Sequence, residues 1–320
     1  SGFGTTLYLK EVFPDAPFFG FFEWFYQTRG GDSDFDPREP LSARARLALS
    51  ARNAVILLDL TAAALGYSPT AWQRSQFPEI HQRRLALLHD GIDNRFFVPD
   101  PAARLVLPDL DLNPEREIVT YTSRGMEPYR GFPQFMESLP AVLAARPNCQ
   151  VVIAGSERIC YGRPRPDKRT WKDVMLERLG RLNADRSRIH FVGSLPYGQY
   201  RSLLQCSTVH VYLTRPFVLS WSLLEAMACG CLVVGSRTAP VEEVITDETN
   251  GLLVDFFSVE AISARIVEAL ERREELAPLR EAARRTVLER YDLGRLLPRQ
   301  LKIIEALATG QEPMLDWEEA

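Results

Sequence analysis

Two stretches of this 320-residue sequence carry residue types able to hold a charged ligand. The first runs Leu219-Ser220-Trp-Ser222-Leu223-Leu-Glu225-Ala-Met-Ala-Cys-Gly230 and follows the apolar run Val209–Leu213. A helix opening at the carboxyl end of a parallel strand presents free backbone N–H groups and a positive dipole end, which suits a diphosphate. Glu225, one turn inside, can then accept hydrogen bonds from two vicinal ribose hydroxyls. The same letters also read as structure alone: Ser222-x-x-Glu225 is a capping box in which Glu225 bonds back to the Ser222 backbone. Taken locally, the pattern favours the cap.

The second stretch is Tyr121-Thr-Ser-Arg124-Gly125-Met-Glu-Pro-Tyr-Arg130-Gly131, between a strand pattern and a helix pattern. Two arginines in a glycine-containing strand-to-helix loop can clamp a pyrophosphate with bidentate bonds. Solvated surface is the even alternative. Both stretches fall at carboxyl ends of strands in one sheet, the edge where open α/β sheets bind ligands. The combination outweighs either part.

The elements that must position them are legible from Ile118 to Val254. Apolar, β-branched runs at Ile118–Tyr121, Gln150–Ala154, Ile189–Val192, Val209–Leu213, Leu232–Gly235 and Gly251–Val254 predict strands. Helical periods at Phe132–Ala145, Trp171–Leu182, Tyr197–Cys206, Ser222–Ala228 and Val241–Ile245 separate them. Strands apolar on both faces between amphipathic helices imply a covered parallel sheet in a doubly wound α/β fold. The earlier part is looser. Helices are expected at Thr5–Val12 and Leu41–Ala51, strands or buried pieces at Phe18–Glu23 and Ala54–Leu57, and a strand at Leu85–His89. Ser68-Pro69 reads as a helix start opening Thr70–Phe77. Phe97–Glu117 reads as an interdomain connection, Ser258–Arg290 as strongly helical, Leu293–Leu307 as a further helix, and Gly310–Ala320 as a frayed acidic tail. The resulting domains are 1–104, 105–292 and a terminal helix and tail at 293–320.

Composition constrains the partners. A formal net charge of −4 gives no general pull toward nucleic acid, so phosphate binding must be local. No run of about eighteen apolar residues exists, which excludes a spanning helix. The five cysteines form no disulfide framework and suit reduced thiols in a cytoplasmic protein. The four histidines make no metal-binding pattern.

These pieces together resemble the family-4 retaining glycosyltransferases of GT-B architecture. The matching motifs are His89-Asp-Gly-Ile-Asp93, Arg124-Gly and Arg130-Gly, Val151–Gly155, Phe191-Val-Gly193-Ser194-Leu-Pro196, Leu224–Gly230 and Asn250-Gly-Leu-Leu-Val254. They agree in order and spacing from about residue 85 to about 290, and Leu224-Glu-Ala-Met-Ala-Cys-Gly230 is the specific one. The resemblance implies two Rossmann-like domains with parallel sheets, the first one incomplete. It implies that Glu225 holds the donor ribose and that Arg124 and Arg130 neutralise its diphosphate. Gly125, Ser194, Leu219, Ser220, Ser222 and Leu223 would contact the nucleotide, with Gly193–Pro196 near the base. The donor would be a UDP- or GDP-sugar, with no metal or other cofactor required. The acceptor would be a saccharide, a lipid or a small molecule, met in the cytoplasm or peripherally at the inner membrane face.

Two departures stand out. Where the family carries a first glutamate in an E-x7-E pattern ending at Glu225, this chain has Phe217. The part ahead of the linker motif is also short for GT-B, and Ser1-Gly2-Phe3-Gly4-Thr5 reads as the remnant of a glycine-rich loop. A non-catalytic nucleotide-binding module derived from a glycosyltransferase is therefore the alternative. Asp32-Ser33-Asp34 reads as a turn, not as a metal motif. Arg163, Arg165, Lys168 and Arg169 read as a mobile surface loop, the sharper idea being contact with an anionic acceptor or membrane surface.

Overall fold

The computed structural model describes residues 6–182 and 184–315. It divides into two compact units. The first holds the chain up to Gly91, Pro216–Leu219 and the chain from Arg290 onward; the second holds Ile92–Arg215 and Ser220–Glu289.

In the first unit the elements are α1 (Leu9–Val12), β1 (Phe19–Phe21), α2 (Ala43–Ala62), β2 (Leu65–Ser68), α3 (Ala71–Ser75), α4 (Glu79–Gln82) and β3 (Leu85–Leu87). The three strands form a parallel sheet in the order β1-β2-β3. The separate helix and strand expected at Leu41–Ala51 and Ala54–Leu57 are one helix, α2. Its residues are mostly Ala, Leu and Arg, all good helix formers, and Ser42 caps it by accepting from Ala45 N at 3.2 Å. A short apolar run such as Ala54–Leu57 does not declare its period, and here Ile56 and Leu60 point one helical face into the core. Ser68 does not start a helix but ends β2, which the sequence hid behind Gly66. The cap of α3 is Thr70, whose Oγ1 accepts from Gln73 N at 3.1 Å. The carboxyl-terminal helix, Leu293–Ala308, sets Leu296 and Ile303 against Leu65, Tyr67, Ala86 and Leu88. Of the expected tail, residues 316–320 lie outside the described residues, as do Ser1–Thr5 and the loop remnant read there.

The second unit opens with a hairpin, β4 (Leu105–Leu107) and β5 (Leu110–Leu112), inside the stretch expected to be a plain connection. Ala103, Leu105 and Leu112 are buried with Ile118, Val152, Leu203 and Cys206, so this piece is core. Then follow β6 (Ile118–Gly125), α5 (Phe132–Ala145), β7 (Gln150–Ser156), α6 (Trp171–Arg181), β8 (Ile189–Gly193), α7 (Tyr197–Cys206) and β9 (Val209–Tyr212). The series closes with α8 (Trp221–Ala228), β10 (Leu232–Ser236), α9 (Ala239–Glu242), β11 (Leu252–Val254), α10 (Val259–Glu271) and α11 (Ala277–Arg290). The strongly helical stretch expected over Ser258–Arg290 is thus two helices separated at 272–276, where Leu276 is buried at the turn.

Among the described residues six strands form one parallel sheet, ordered β11-β10-β9-β6-β7-β8. The order reverses between β6 and β9, so the crevice beyond their carboxyl ends is a topological switch point. Two details shape that edge. Gly155, at φ +138°, lies so close to β6 that a Cβ there would stand 1.9 Å from the Ser123 carbonyl oxygen. Glu127, fully buried, accepts hydrogen bonds from the backbone N–H groups of Cys160 (2.8 Å), Tyr161 (2.9 Å) and Gly162 (2.7 Å). One carboxylate therefore pins the β7–α6 loop.

Gly155→Ala should cost about 1–3 kcal/mol through strain and collision, read as a lowered thermal midpoint. An unchanged midpoint would contradict the packing. Glu127→Ala should speed hydrogen exchange at the Cys160, Tyr161 and Gly162 amides by more than about tenfold, since buried donors lose their acceptor. Unchanged exchange there would mean that the loop is held by other contacts.

Candidate functional site

The two stretches singled out in the sequence meet at the switch point. The first follows β6. Arg130 stands at the end of a 3-10 turn, Pro128–Arg130, with only 6% of its surface exposed. Its Nη1 donates to the Tyr212 hydroxyl at 3.1 Å and to Thr214 Oγ1 at 2.8 Å. The guanidinium also lies 5.1 Å from the centre of the Tyr161 ring, on the loop that Glu127 pins. Gly131 follows at φ +64°, where a Cβ would meet the Leu213 Cβ at 2.4 Å, so α5 can begin close against β9.

The second stretch follows β9. Ser220 is the N-cap of α8, and its backbone N–H donates to the same Tyr212 hydroxyl at 2.8 Å. Arg130 and the amino end of α8 thus share one phenol oxygen. The helix ends where left-handed Gly230 (φ +75°) lets Cys231 N reach Ala226 O at 3.0 Å. Arg280 Nε donates to Gly230 O at 2.6 Å and Arg284 to Ala228 O, placing cations at the negative end.

The capping-box reading of Glu225 is overturned. Ser220, not Ser222, is the cap, so Glu225 falls too deep in the helix to return to its start. Its carboxylate instead accepts from the hydroxyls of Tyr197 (Oε1, 2.5 Å) and Tyr200 (Oε2, 2.9 Å) on α7. Burial pushes the carboxyl above its ordinary 4.5, and the two hydroxyl donors pull the other way.

The other expected contacts are placed as follows. Arg124 is exposed at the end of β6, and its guanidinium makes no hydrogen bond or ion pair among the described residues. Gly125 is buried, and a Cβ there would stand 2.4 Å from Arg158 O, so its bareness serves the loop packing. Ser194 is exposed between Gly193 and α7. Ser222 is half-buried, with its Oγ 2.9 Å from Ser220 Oγ. The Leu223 side chain is buried and its N–H already donates to Ser220 O at 3.2 Å. Leu219 is buried and groups with the first unit. Phe217, also in that unit, packs edge-on to Trp24 with ring centres 4.9 Å apart.

Sequence reasoning passed over Tyr212, Thr214, Tyr161, Glu127 and Arg215. Arg215 is buried beyond β9 with its guanidinium 5.0 Å from the Tyr129 ring centre, and so adds a third arginine to this edge. Tyr197 and Tyr200 did carry a signal, two phenols at i and i+3 directly after the Gly193–Pro196 loop. A cavity of about 700 Å³, lined by Arg116, Glu117, Arg146, Asn148 and Glu271 among others, lies at the amino ends of β6 and β7. That is the opposite edge, and its Arg146 is already paired with Glu117 and Glu271. Among the described residues no three His, Cys, Asp or Glu side chains group as a metal site. Asp32-Ser33-Asp34 forms a turn in which Asp34 accepts from Gly30 N at 3.0 Å and Gly31 N at 3.2 Å. No described helix is long and apolar enough to cross a membrane.

Comparison with known proteins agrees with this layout. Residues 1–97 match the family described as glycosyl transferase family 4 group, and residues 108–286 match glycosyl transferases group 1. The chain is 28% identical over 209 residues to the GDP-mannose-dependent monoacylated alpha-(1-6)-phosphatidylinositol monomannoside mannosyltransferase of Corynebacterium glutamicum, covering 61% of this chain and 48% of that one. It is 26% identical over 156 residues to a phosphatidylinositol N-acetylglucosaminyltransferase polypeptide of Arabidopsis thaliana, covering 48% of this chain and 32% of that one. The chain thus spans half or less of the length of these curated relatives. Among solved structures, Anabaena HepE in complex with UDP-glucose superposes with a TM-score of 0.69 at 15% identity, over 93% of this chain and 74% of that one. Sucrose-phosphate synthase from Thermosynechococcus elongatus gives 0.65 at 21% identity, over 82% and 63%. At such identities the likeness concerns the fold, which is GT-B, with two Rossmann-like α/β units built on parallel sheets. The group 1 match takes in more than half of the 320 residues, and the chain belongs to the glycosyl transferases group 1 family.

Proposed function

We propose that this chain is a retaining glycosyltransferase that moves a sugar from a UDP- or GDP-linked donor to a saccharide, lipid or small-molecule acceptor without needing a metal. The observation that carries the reading is the shared Tyr212 hydroxyl, which joins Arg130 to the amino end of α8 at the switch point, with Glu225 one turn along. Fixed cationic donors and a helix dipole aimed at one spot favour the negative charge that builds on a departing diphosphate. Arg124, exposed and uncommitted, supplies a second cation to the same group. Glu225 accepts from the two ribose hydroxyls. Retention follows from front-face attack: the acceptor hydroxyl enters on the side from which the diphosphate leaves, and a diphosphate oxygen takes its proton. No protein nucleophile is then needed.

The relatives support the donor class from both sides, one named as GDP-mannose-dependent and one solved with UDP-glucose. Two of the curated relatives, those of Corynebacterium glutamicum and Arabidopsis thaliana, carry phosphatidylinositol in their names, which supports the lipid branch of the acceptor class and a peripheral membrane contact. Phe217 favours a second reading. Its ring is engaged with Trp24 where the family has a sugar-binding glutamate, as expected of a nucleotide-binding module that has lost transfer.

Calorimetry at pH 7 should show binding of UDP, GDP or both, weakened more than about tenfold by Glu225→Ala or Arg130→Ala, since charge-assisted hydrogen bonds are lost. Silence with both nucleotides would sink either reading. Nucleotide binding without donor hydrolysis or transfer would favour the module. Because the ribose contact needs the ionised carboxylate, affinity should fall as pH drops through the raised pKa of Glu225, with the acidic limb above 4.5. An affinity flat down to about pH 4 would remove Glu225 from the site.

A further inference from the structure

Tyr197 and Tyr200 open α7 immediately after Pro196, three residues apart and so on one helical face. Each donates its hydroxyl to a different oxygen of Glu225, at 2.5 Å and 2.9 Å. A carboxylate oxygen accepts along two lone-pair directions, so each oxygen keeps one direction open. Tyr197 is held from elsewhere as well. It is 57% exposed, yet its ring stacks on Phe96, with ring centres 5.3 Å apart and planes within 9°. Phe96 in turn lies edge-on to Phe97 at 5.1 Å and under the Arg201 guanidinium at 4.6 Å. The hydroxyl that meets Oε1 is therefore located by ring packing and not by Glu225 alone.

Two consequences of this geometry are physically distinct. In one, the phenols only compensate a buried carboxylate and occupy it. In the other, they fix its rotation and leave a pair of acceptor directions spaced for two neighbouring hydroxyls. The second accounts for one donor per oxygen, since two donors on a single oxygen would compensate the charge without defining the plane. We propose that Tyr197 and Tyr200 are positioning residues that orient the Glu225 carboxylate for a vicinal diol, the ribose 2′- and 3′-hydroxyls of the donor nucleotide. This rests on Glu225 being the ribose ligand.

The test compares UDP and GDP with their 2′,3′-dideoxy counterparts on the wild type, Tyr197→Phe and Tyr200→Phe, by calorimetry across pH. The wild type should prefer the ribonucleotide. Each tyrosine variant should lose about tenfold of that preference, the worth of one hydrogen bond to a charged group, while its affinity for the dideoxy compound stays put. The acidic limb of ribonucleotide binding should also move to higher pH, because a donor to the ionised form has gone. Should the half-buried Tyr200→Phe variant fail to fold, the more exposed Tyr197→Phe decides alone. Equal wild-type affinity for the ribo and dideoxy compounds would overturn Glu225 as a ribose ligand and the inference with it. A wild type that discriminates, beside a Tyr197→Phe protein that discriminates equally or binds the ribonucleotide more tightly, would overturn the positioning role and leave Glu225 standing.

Discussion

The carboxyl edge of the second sheet turns on one phenol oxygen. Tyr212 is buried at the end of β9 and accepts from Arg130 Nη1 and from Ser220 N. Those donors belong to stretches far apart in the chain, one closing the β6–α5 connection and the other opening α8. Burial raises the Tyr212 pKa, so the hydroxyl stays neutral and adds no negative charge beside Arg130. A carboxylate in its place would hold both donors too, but would set a negative charge against the Arg130 cation. An apolar residue would take from a buried guanidinium one of its two hydroxyl acceptors, leaving Thr214 Oγ1.

The surrounding structure keeps those partners in place. Strand order sets the reversal between β6 and β9, and the reversal opens the crevice. Gly155 lets the β6 backbone, and Gly131 the Leu213 side chain, come closer than a Cβ would permit. Glu127 draws the β7–α6 loop in by three backbone hydrogen bonds, setting Tyr161 beside Arg130. Arg280 and Arg284 occupy the far end of α8, leaving its amino end as the positive pole. Helix α8 is thus held at its amino end by the Tyr212 hydroxyl and at its carboxyl end by two arginines.

Much of the second unit was legible because its strands are buried on both faces and spell this out in β-branched runs. All six of its sheet strands lie where those runs predicted them. The first unit was harder. Leu65-Gly-Tyr-Ser68 has no β-branched residue, and only its burial between β1 and β3 makes it a strand. Ala54–Leu57 reads as a strand in isolation and is helix because its neighbours on both sides propagate one. Phe97–Glu117 shows no period because its hairpin is short and antiparallel. The two stretches that carry Arg130, Ser220 and Glu225 were singled out from their place beside strand ends. Their partners were not, since Tyr197, Tyr200 and Tyr212 become neighbours only once α7 and β9 are folded, and no spacing in the sequence announces a shared hydroxyl. Local pattern therefore misassigned Glu225 as a cap, for it could not show the tyrosines that compete for the carboxylate.

The most direct measurement is a crystal structure of the protein grown with saturating UDP or GDP. The expected result is a diphosphate lying between Arg130 and the first turn of α8, near enough to Arg124 for its side chain to close on it, with both ribose hydroxyls on Glu225. A nucleotide bound away from this edge, or one whose ribose turns from Glu225 while Tyr212 remains in place, would contradict it.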